Sequence, residues 1–385
     1  MISKNQDRKK VTIISNFHED ATISRSNMAY KYFSSRNFKT VALYSNFSHS
    51  LKKFRYFDNQ DFIPLRTVAY SSSLSLRRIL SYFIFSLKVF VYLRRYKIDI
   101  VYVNLPPNIL TLAVFLGCHK STKVIVDIMD LWPESFPHNG NAVIKLGLKI
   151  ASLISSPIRK YAIQKSDFCI AESNLFFEAL QLRKKRKSNV IHLKKFSVSK
   201  PILNKVDETL SIIYLGNIGN IYDFESLFQI IKRLEKIRPV KLHIIGLGPK
   251  RSWLLDKLTS LDITYLDHGA SFDEQLKEEV LSTCWFGFNG FKKETEVGLS
   301  YKSIDYLSYG VPLLNSLGSD TFELVANEGV GFNFSCDNLD SLIEKLSLLS
   351  TADILTMKRA SYALFNSKFS GESYFSDMDK VILEI

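Results

Sequence analysis

The sequence predicts an α/β protein with two Rossmann-like domains, each built on a parallel sheet. Short apolar segments of strand length alternate with segments of helical periodicity along the whole chain, which is the pattern of parallel α/β sheets. A length of 385 residues exceeds what one hydrophobic core ordinarily serves. A hydrophobic content of 46% supplies enough apolar side chains for two packed cores.

The first half opens with a strand at 11–15, a helix at 24–35 and a strand at 39–44. Later strands are expected at 99–104, 123–128 and 167–172, with a helix at 109–116. No Gly-x-Gly-x-x-Gly follows the first strand, so the dinucleotide-binding fingerprint is absent. Because such sheets bind ligands at the carboxyl ends of their strands, the loop after the first strand is a candidate ligand site, with His18 in it and Arg25 in the helix that follows. A solvated loop is the alternative for both.

The segment 77–95 predicts a helix with two possible roles. Its apolar part, 79–93, contains Lys88 and is shorter than the ~20 residues that a membrane span needs. The segment is basic at both ends and rich in aromatic residues, which is typical of helices that lie in a membrane interface. A buried helix of the first domain is the alternative.

The segment 127–135 predicts a substrate-binding loop at the carboxyl end of a strand. Its acidic residues, Asp127, Asp130 and Glu134, are candidates for accepting hydrogen bonds from substrate hydroxyls or for taking up a proton. In the alternative interpretation, Asp130 or Ser135 only caps the next helix, and Trp132 packs the loop against the domain.

The net charge of +13 indicates an anionic partner. Basic residues are concentrated in a predicted helix at 142–165 and at 183–187 and 194–195, which favours attraction to anionic lipid headgroups. Solvated surfaces are the simpler explanation. Nucleic acid is the competing partner, but the sequence has no helix-turn-helix, RNA-binding or zinc-finger signature.

The four cysteines are widely spaced and form no Cys-x-x-Cys pair, which predicts neither a zinc site nor a disulfide framework. A reducing cytosol is therefore the expected setting. The polar, basic residues 1–10 precede no apolar run of the length of a secretion signal.

A second alternation follows a predicted linker at 199–207. Strands are expected at 210–215, 240–245, 263–266, 284–288 and 311–314, with helices between them and a final helix ending at 385. Glycines follow three of these strands, at Gly216 and Gly219, at Gly246 and at Gly269. Backbone without side chains can approach a ligand closely, so these loops and Asn217 are candidates for binding a phosphorylated substrate.

The segment 294–312 predicts a turn, a helix and a strand that together form an anion site. Ser300 is the expected N-cap, and Gly310 and Pro312 end the helix after Tyr309. The free amides and the dipole of the first turn attract a phosphate, and Lys302 adds a positive charge there.

One turn further along, Asp305 can accept hydrogen bonds from the two hydroxyls of a ribose, so that the helix would hold both parts of a nucleotide. The alternative is an ordinary capped helix that carries a surface ion pair.

Segments 127–135 and 300–312 resemble the GT-B glycosyltransferases, in the retaining group that builds bacterial surface polysaccharides. The first is similar to the Asp-x-Trp-Pro-Glu-Ser signature of the amino-sugar transferases of O-antigen and capsule synthesis. The second, from Lys302 to Leu307, is similar to their Lys-x-x-(Asp/Glu)-Tyr-Leu pattern, with Ser300 in place of a proline. The wider group usually carries two glutamates separated by seven residues, the second of them about five residues before a Gly-x-Pro. Asp305 takes the second of these two acidic positions. The first falls on Val297, one residue from Glu296.

This resemblance implies a hexosyltransferase whose two domains face a cleft. Residues 1–200, joined by a helix at 371–385, would bind a polyprenyl-diphosphate-linked saccharide at the cytoplasmic face of the membrane. Residues 201–370 would bind a nucleotide sugar, a UDP-sugar in the first place. Retention of configuration and transfer without a metal or cofactor are implied as well. A sugar-nucleotide epimerase of the same fold and a non-catalytic membrane or nucleic-acid binder are the alternatives.

The residues expected in each role follow from matching positions. Donor binding is assigned to Gly216, Asn217, Gly219, Gly246, Gly269, Glu296, Ser300, Tyr301, Lys302 and Asp305. Acceptor binding is assigned to His18, Arg25, Asp127 and Trp132. Catalysis is assigned to Asp130, Glu134 and Lys302.

Overall fold

The structure is a computed structural model that describes residues 8–18, 24–72, 75–132, 142–196, 201–270 and 273–385. The chain divides into two compact units. Unit 1 comprises Met1–Ile191 together with Tyr374–Ile385, and unit 2 comprises His192–Ser373. Both units are Rossmann-like, which confirms the predicted fold class.

Unit 1 is built on a seven-stranded sheet. Its strands are β1 (Lys10–Ser15), β2 (Lys39–Ser45), β3 (Phe62–Leu65), β4 (Ile100–Leu105), β5 (Lys123–Ile128), β6 (Phe168–Ala171) and β7 (Ser188–Val190). Its helices are α1 (Arg25–Ser35), α2 (Leu76–Arg95), α3 (Leu110–Gly117), α4 (Ala142–Lys165) and α5 (Asn174–Ala179), with α13 (Gly371–Glu384) at the end of the chain. The strand order is β3-β2-β1-β4-β5-β6-β7, and every neighbouring pair is parallel.

Unit 2 is built on a six-stranded sheet. Its strands are β8 (Leu210–Leu215), β9 (Val240–Ile245), β10 (Tyr265–Asp267), β11 (Phe286–Asn289), β12 (Leu313–Asn315) and β13 (Gly331–Asn333). Its helices are α6 (Phe224–Leu234), α7 (Arg251–Ser260), α8 (Glu274–Thr283), α9 (Tyr301–Ser308), α10 (Ser319–Glu328), α11 (Leu339–Leu348) and α12 (Thr351–Lys368). The order is β10-β9-β8-β11-β12-β13, again parallel throughout.

Successive residues of β8 alternate between two hydrophobic clusters. Ile212 and Tyr214 join one cluster, and Ile213 and Leu215 join the other. Since adjacent strand residues point to opposite faces, the sheet is covered on both sides, as parallel sheets require.

Three elements of unit 1 were not predicted: β3, β7 and α5. β3 contains Pro64, which cannot donate to a sheet ladder, and it lies at an edge of the sheet where that donor is not needed. β7 is a three-residue edge strand with two polar residues, too short to give a periodic signal. α5 has six residues, fewer than two turns.

Helix α2 has one buried face and one exposed face, and the buried face agrees with the interpretation as a packed helix of the first domain. Tyr82, Phe85, Val89 and Leu93 are buried against the unit. The other face is exposed and apolar, and it consists of Leu76, Ile79, Leu80, Phe83, Leu87 and Val91. Among the described residues, no helix is both long enough and apolar enough to span a bilayer.

Helices α3 and α4 also carry exposed apolar residues. α2 contacts α3 and α3 contacts α4, and all three contribute to one hydrophobic cluster of unit 1. We define the apolar face as the exposed α2 residues given above together with Leu116, Leu146, Ile150, Leu153 and Ile154. Exposed basic residues border it, namely Arg77, Lys88, Arg94 and Arg95 on α2 and Lys149, Lys160 and Lys165 on α4.

Candidate functional site

Three glycine loops meet at the carboxyl ends of β8, β9 and β10 in unit 2. The amide of Gly216 donates to the Ile245 carbonyl at 2.9 Å, and the amide of Gly246 donates to the Gly269 carbonyl at 2.8 Å. A Cβ on Gly246 would lie 2.1 Å from the Gly216 carbonyl oxygen, so only glycine allows the loops to approach this closely. The structure therefore brings together the three glycines that the sequence singled out.

The remaining candidates of the first loop lie beside Gly216, whose φ of 122° favours glycine. Asn217 is exposed, and its carbonyl accepts a hydrogen bond from the Tyr214 hydroxyl. A Cβ on Gly219 would lie 2.8 Å from the Asn217 amide nitrogen. The Asn217 side chain is thus held against the glycine loop.

A buried tyrosine separates β8 from β11 just below these loops. The Tyr306 hydroxyl accepts from the Leu215 amide at 2.8 Å and lies 3.1 Å from the Ile213 carbonyl and 3.3 Å from the Phe288 carbonyl. A Cβ on Gly287 would lie 2.4 Å from the Tyr306 ring, so the glycine makes room for it. Where β8 and β11 diverge, the hydroxyl therefore takes the place of hydrogen bonds between the two strands and gives their backbone groups a partner.

Helix α9 begins at this divergence, with the predicted N-cap. Ser300 Oγ accepts from the Ser303 amide at 3.0 Å, and Gly310, with φ of 68°, follows the helix in the left-handed region. The helix itself ends at Ser308, one residue before the predicted end.

A ladder of asparagines, which was not predicted, positions this N-cap. Asn289, Asn315 and Asn333 are the last residues of β11, β12 and β13 and lie in register. Asn333 Oδ1 accepts from Asn315 Nδ2 at 2.7 Å, and Asn315 Oδ1 accepts from Asn289 Nδ2 at 2.7 Å. Asn289 Oδ1 then accepts from Ser300 Oγ at 2.8 Å. Three adjacent strands thereby fix the start of α9.

The Lys302 side chain extends from the first turn of α9 into a cage of three aromatic rings. Its Nζ lies 3.9 Å from the Tyr214 centroid, 3.8 Å from the Tyr222 centroid and 5.5 Å from the Phe291 centroid. Its Cε is 3.6 Å from the position of a Cβ on Gly216. The lysine therefore lies directly beneath the first glycine loop.

The Lys302 amine is buried, and no described residue forms a hydrogen bond with it. Burial lowers the pKa of Lys302 well below its ordinary value, because nothing nearby compensates for the lost hydration. The alternative of a surface ion pair on this helix is therefore wrong, and a buried amine without a counter-ion lies where an anion was predicted to bind.

Asp305 has a different cationic partner. Lys195 Nζ lies 2.8 Å from Asp305 Oδ1 and 4.8 Å from the Tyr309 ring centroid. Burial raises the pKa of Asp305, an effect that Lys195 opposes. About a fifth of the Asp305 side chain is exposed (21%), which leaves it accessible for a further hydrogen bond.

Lys194 and Lys195 do not belong to a solvated basic surface, so that part of the prediction from charge was wrong. Both are buried. Lys194 Nζ donates to the Lys368 carbonyl at 2.6 Å, and Lys195 is paired with Asp305.

The last two donor candidates border α9. Tyr301 is the first residue of the helix, and burial raises the pKa of its hydroxyl. Glu296 lies on the preceding loop and is exposed. Among the described residues, nothing forms a hydrogen bond or ion pair with its carboxylate.

In unit 1, Arg25 and Asp127 form a fully buried ion pair. Arg25 Nε and Nη2 donate to the two carboxylate oxygens, each at 2.7 Å, and Nη1 donates to the Ile191 carbonyl at 2.7 Å. Asp127 also accepts from the Tyr102 hydroxyl at 2.5 Å and from Asn104 Nδ2 at 2.9 Å. Although burial lowers it, the pKa of Arg25 is raised overall by Asp127.

This pairing corrects two predictions. Arg25 is not solvated, and Asp127 is fully buried and receives four hydrogen bonds from protein donors. Because the two side chains are buried and paired with each other, the structure gives them a role in packing unit 1 instead of the predicted exposure to an acceptor.

His18 is buried as well, so the solvated alternative is wrong for it too. Its Nδ1 lies 2.8 Å from Ser26 Oγ, and its ring packs edge-on against Phe62 at 4.7 Å between centroids. Burial, together with the charge of Arg55, lowers the pKa of His18 to about 4. It is thus a neutral imidazole at physiological pH.

The loop after β5 is partly described. Trp132 packs edge-on against Tyr82 of α2 at 6.3 Å, and the Arg78 guanidinium lies 5.8 Å from its ring centroid. Asp130 is partly exposed beside these residues. Glu134 lies outside the described residues.

Glu172 was missed by the sequence analysis. It follows β6 directly, and its amide donates to the Ile128 carbonyl at 3.1 Å. Burial raises the pKa of Glu172 to about 8, with Asp127 and Asp130 adding to the shift and Arg25 opposing it. A carboxylic acid directly after a sheet strand was the available signal, but the residue matched none of the motifs.

Within the described part of the chain, no cluster of three or more His, Cys, Asp or Glu residues has the arrangement of a metal site. Among the predicted donor-site residues that the structure describes, the buried Lys302 amine has no hydrogen-bond partner, and the partly exposed Asp305 carboxylate is paired with Lys195.

No protein-family model matches the chain, and no curated protein matches its sequence. Solved structures share its fold. Sucrose-phosphate synthase (tll1590) from Thermosynechococcus elongatus has a TM-score of 0.71 at 12% identity, covering 98% of this chain and 99% of that one. The lipopolysaccharide outer core galactosyltransferase WaaB, in its apo form, has a TM-score of 0.65 at 14% identity, with 97% and 99% covered.

Anabaena Alr3699/HepE, solved in complex with UDP-glucose, has a TM-score of 0.61 at 14% identity, with 98% and 100% covered. At these identities the similarity is one of fold, and it extends over both units. The fold is GT-B.

Proposed function

We propose that the chain is a glycosyltransferase that moves a sugar from a nucleotide-sugar donor to a lipid-linked saccharide. The observation that carries this proposal is Lys302, a buried amine without a counter-ion at the N-terminus of α9. A helix N-terminus beneath a glycine loop attracts phosphate, and a bound phosphate favours the charged form of this amine, which adds to that attraction. The diphosphate of the donor would complete this site.

Unit 2 would bind the donor along α9. The loops at Gly216 and Gly246 would receive the diphosphate, Asp305 would accept from the ribose hydroxyls, and the loop at Gly269 would border the base. We infer that the nucleotide of the donor is UDP, because of the motif resemblance and because the HepE structure of the same fold contains UDP-glucose. Four further positions border the donor site, namely Asn217, Gly219, Ser300 and Tyr301. Glu296 lies on the loop before α9, where its exposed carboxylate could also contact the donor.

The mechanism would rest on electrostatics rather than on a metal. As the bond between the sugar and the diphosphate breaks, negative charge builds up on the diphosphate. Lys302 and the amides at the start of α9 are already oriented toward that charge, so they would stabilise the transition state more than the ground state. Retention of configuration is inferred from the motif resemblance.

The apolar face of unit 1 supports a lipid-linked acceptor. Isolated exposed apolar residues are ordinary, but many exposed apolar side chains on three helices that contact one another in series favour an interaction site. The basic residues that border it favour anionic headgroups over a neutral partner. We therefore place the chain at the cytoplasmic surface of the membrane, with α2 in the interface.

The contacts of α2 connect this surface with the candidate acceptor loop. Arg78 and Tyr82, on the buried face of α2, contact Trp132, which lies two residues after Asp130. A polyprenyl chain held by the membrane beside Phe83 would thus place its saccharide near the loop after β5. Bacterial capsule, O-antigen or exopolysaccharide synthesis is the setting that this acceptor class implies.

A sugar-nucleotide epimerase of the same fold is the second candidate. It would use the same donor site but would act on a free nucleotide sugar, and it would have no use for the apolar face. That surface favours the transferase.

Thermal unfolding against UDP, GDP, dTDP and CDP tests the donor site. A ligand that binds only the folded chain raises its melting temperature. We expect a rise with one diphosphate that is lost in Lys302→Met and in Asp305→Asn and is retained in Lys236→Met, an exposed lysine of unit 2. The absence of a rise with any of the four nucleotides would overturn the proposal.

A further inference from the structure

We propose that Lys195 positions the Asp305 carboxylate, in its ionised form, for the hydroxyls of the nucleotide ribose. The site would thereby distinguish a nucleotide that has these hydroxyls from one that lacks them. The inference rests on the proposed function and deepens it, because it names the residue that controls ribose recognition. Both residues belong to unit 2, the unit that would bind the nucleotide.

The Lys195 side chain is held by contacts at both of its ends. Its backbone amide donates to the carbonyl of Phe369, the residue directly after α12, at 2.8 Å. At the other end, Nζ donates to Asp305 Oδ1 at 2.8 Å and to Ser308 Oγ at 3.3 Å, and the Tyr309 ring centroid lies 4.8 Å from it. Lys195 is therefore a buried, fixed partner of Asp305 and not a mobile surface lysine.

The ion pair uses only one of the two carboxylate oxygens of Asp305. Lys195 donates to Oδ1, whereas no residue in the described part of the chain donates a hydrogen bond to Oδ2. Each oxygen of an ionised carboxylate has two acceptor positions, so Oδ2 alone can serve two neighbouring hydroxyls. Lys195 thus restrains the carboxylate through one oxygen, and the other oxygen keeps its acceptor positions for a ligand.

Lys195 also favours the ionised form of Asp305. Burial raises the pKa of Asp305, and Lys195 opposes this shift both by its charge and by its hydrogen bond. The charge of Lys277 on α8 opposes it as well, but Lys277 is itself paired with Glu274 at 2.8 Å, and Glu274 raises the pKa of Asp305. The titratable groups around Asp305, besides Lys195, are Lys277, Glu274, Tyr301, Tyr306 and Tyr309.

This arrangement gives ribose recognition a defined dependence on pH. A carboxylate accepts hydrogen bonds more strongly than a protonated carboxyl group does. The preference for a nucleotide with ribose hydroxyls is therefore present above the pKa of Asp305 and is lost as pH falls through it. Removal of Lys195 raises this pKa further, so the loss moves to higher pH. Titration of Lys302, which would meet the diphosphate, affects nucleotides with and without the hydroxyls alike.

Calorimetry with UDP and with 2′,3′-dideoxyuridine diphosphate tests the inference. The two nucleotides share the base and the diphosphate, so the ratio of their dissociation constants isolates the ribose hydroxyls. We expect the wild-type chain to bind UDP about tenfold more tightly, or better, near pH ~8. In Lys195→Met, this preference should fall to about threefold or less at pH ~7 and recover in part at pH ~9, with the affinity for the dideoxy nucleotide unchanged.

Three further variants complete the test. Lys195→Arg keeps a cation and should retain most of the preference for UDP. Lys195→Gln keeps a hydrogen-bond donor without the charge, so its preference should also be lost at higher pH than in the wild type. It provides a second measurement if Lys195→Met does not fold. Lys236→Met, at an exposed position of unit 2, should behave as the wild type does.

The possible outcomes separate this inference from the proposed function. A variant of Lys195 that weakens the binding of both nucleotides equally would show a structural role alone and would overturn the inference. A preference for UDP that is unchanged at every pH in Lys195→Met and Lys195→Gln, or that is absent in the wild type, would overturn it as well. A wild-type chain that binds neither nucleotide would overturn the proposed function instead.

Discussion

The Nζ atom of Lys302 lies 3.8 Å from the ring centroid of Tyr222, and the Cε atom of the same side chain lies 3.6 Å from the position of a Cβ on Gly216 in the first glycine loop. An aromatic face attracts a cation but does not hydrate it. The structure thus holds an amine that gains more from an arriving anion than an exposed lysine would, because its hydration has already been lost.

This arrangement predicts proton uptake when a nucleoside diphosphate binds. Burial lowers the pKa of Lys302 in the free chain, and a neighbouring diphosphate raises it again. At a pH between the two values, binding takes up a proton, and affinity falls as pH rises. Calorimetry of UDP binding in buffers of different ionisation enthalpy measures this uptake.

The control for that measurement is Lys302→Met, which keeps the apolar stem and removes the titrating group. We expect its binding enthalpy to be independent of the buffer. Equal binding enthalpies for the wild-type chain in HEPES and Tris would contradict the prediction.

The asparagine ladder predicts a stability cost at its centre. Asn315→Ala removes the partners of Asn289 Nδ2 and Asn333 Oδ1. A buried polar group left without a partner costs about 1–3 kcal/mol, so we expect the free energy of unfolding to fall by about 2–3 kcal/mol. Urea titration measures the change, and Asn220→Ala, at an exposed position, should be close to neutral. An Asn315→Ala chain as stable as the wild type would show that the ladder does not hold the N-cap of α9.

The close approach of the glycine loops predicts that Gly246→Ala disrupts them. A Cβ there would lie 2.1 Å from the Gly216 carbonyl oxygen, so one loop must move. We expect a lower melting temperature and loss of the nucleotide-induced rise. Gly318→Ala is the matched control, because a Cβ at that position has no atom within 4 Å. A normal nucleotide response in Gly246→Ala would remove these loops from the donor site.

The apolar face predicts binding to anionic vesicles. Phe83→Ser combined with Leu87→Ser removes two exposed side chains from α2. Each apolar side chain contributes about 1.5 kcal/mol or more when fully buried, so partial insertion of both predicts a loss of about tenfold in affinity. Cosedimentation with phosphatidylcholine vesicles containing phosphatidylglycerol measures it.

The control for vesicle binding is Leu348→Ser combined with Leu383→Ser, because these two residues are even more exposed than Phe83 and Leu87 but lie outside the apolar face. That variant should bind like the wild type, and all variants should bind less at high salt. If the wild type bound vesicles with and without phosphatidylglycerol equally well, the basic residues around the apolar face would have no role in binding.

The sequence predicted the features of the site that depend on neighbouring residues. Ser300 as the N-cap, Gly310 after the helix and glycines after three strands are local patterns, and the structure places them as expected. The two-domain α/β architecture followed from a periodicity that persists over the whole chain.

The features that sequence reasoning missed depend on residues far apart in the chain. Arg25 and Asp127 are 102 positions apart, and each carries a charge that ordinarily favours the surface. The Lys302 cage needs rings from two other segments, and the asparagine ladder needs the register of three strands. Three-residue and proline-containing edge strands such as β7 and β3 give no periodic signal of their own.

The most direct test of the account is transfer of label from a radiolabelled UDP-sugar to lipid extracted from bacterial membranes. The account predicts that label passes into the organic-solvent phase with the wild-type chain and with Lys236→Met, and that Lys302→Met abolishes this transfer. Label that stays in the aqueous phase as an altered nucleotide sugar would identify an epimerase, and label that remains entirely in the unchanged donor would contradict the proposed function.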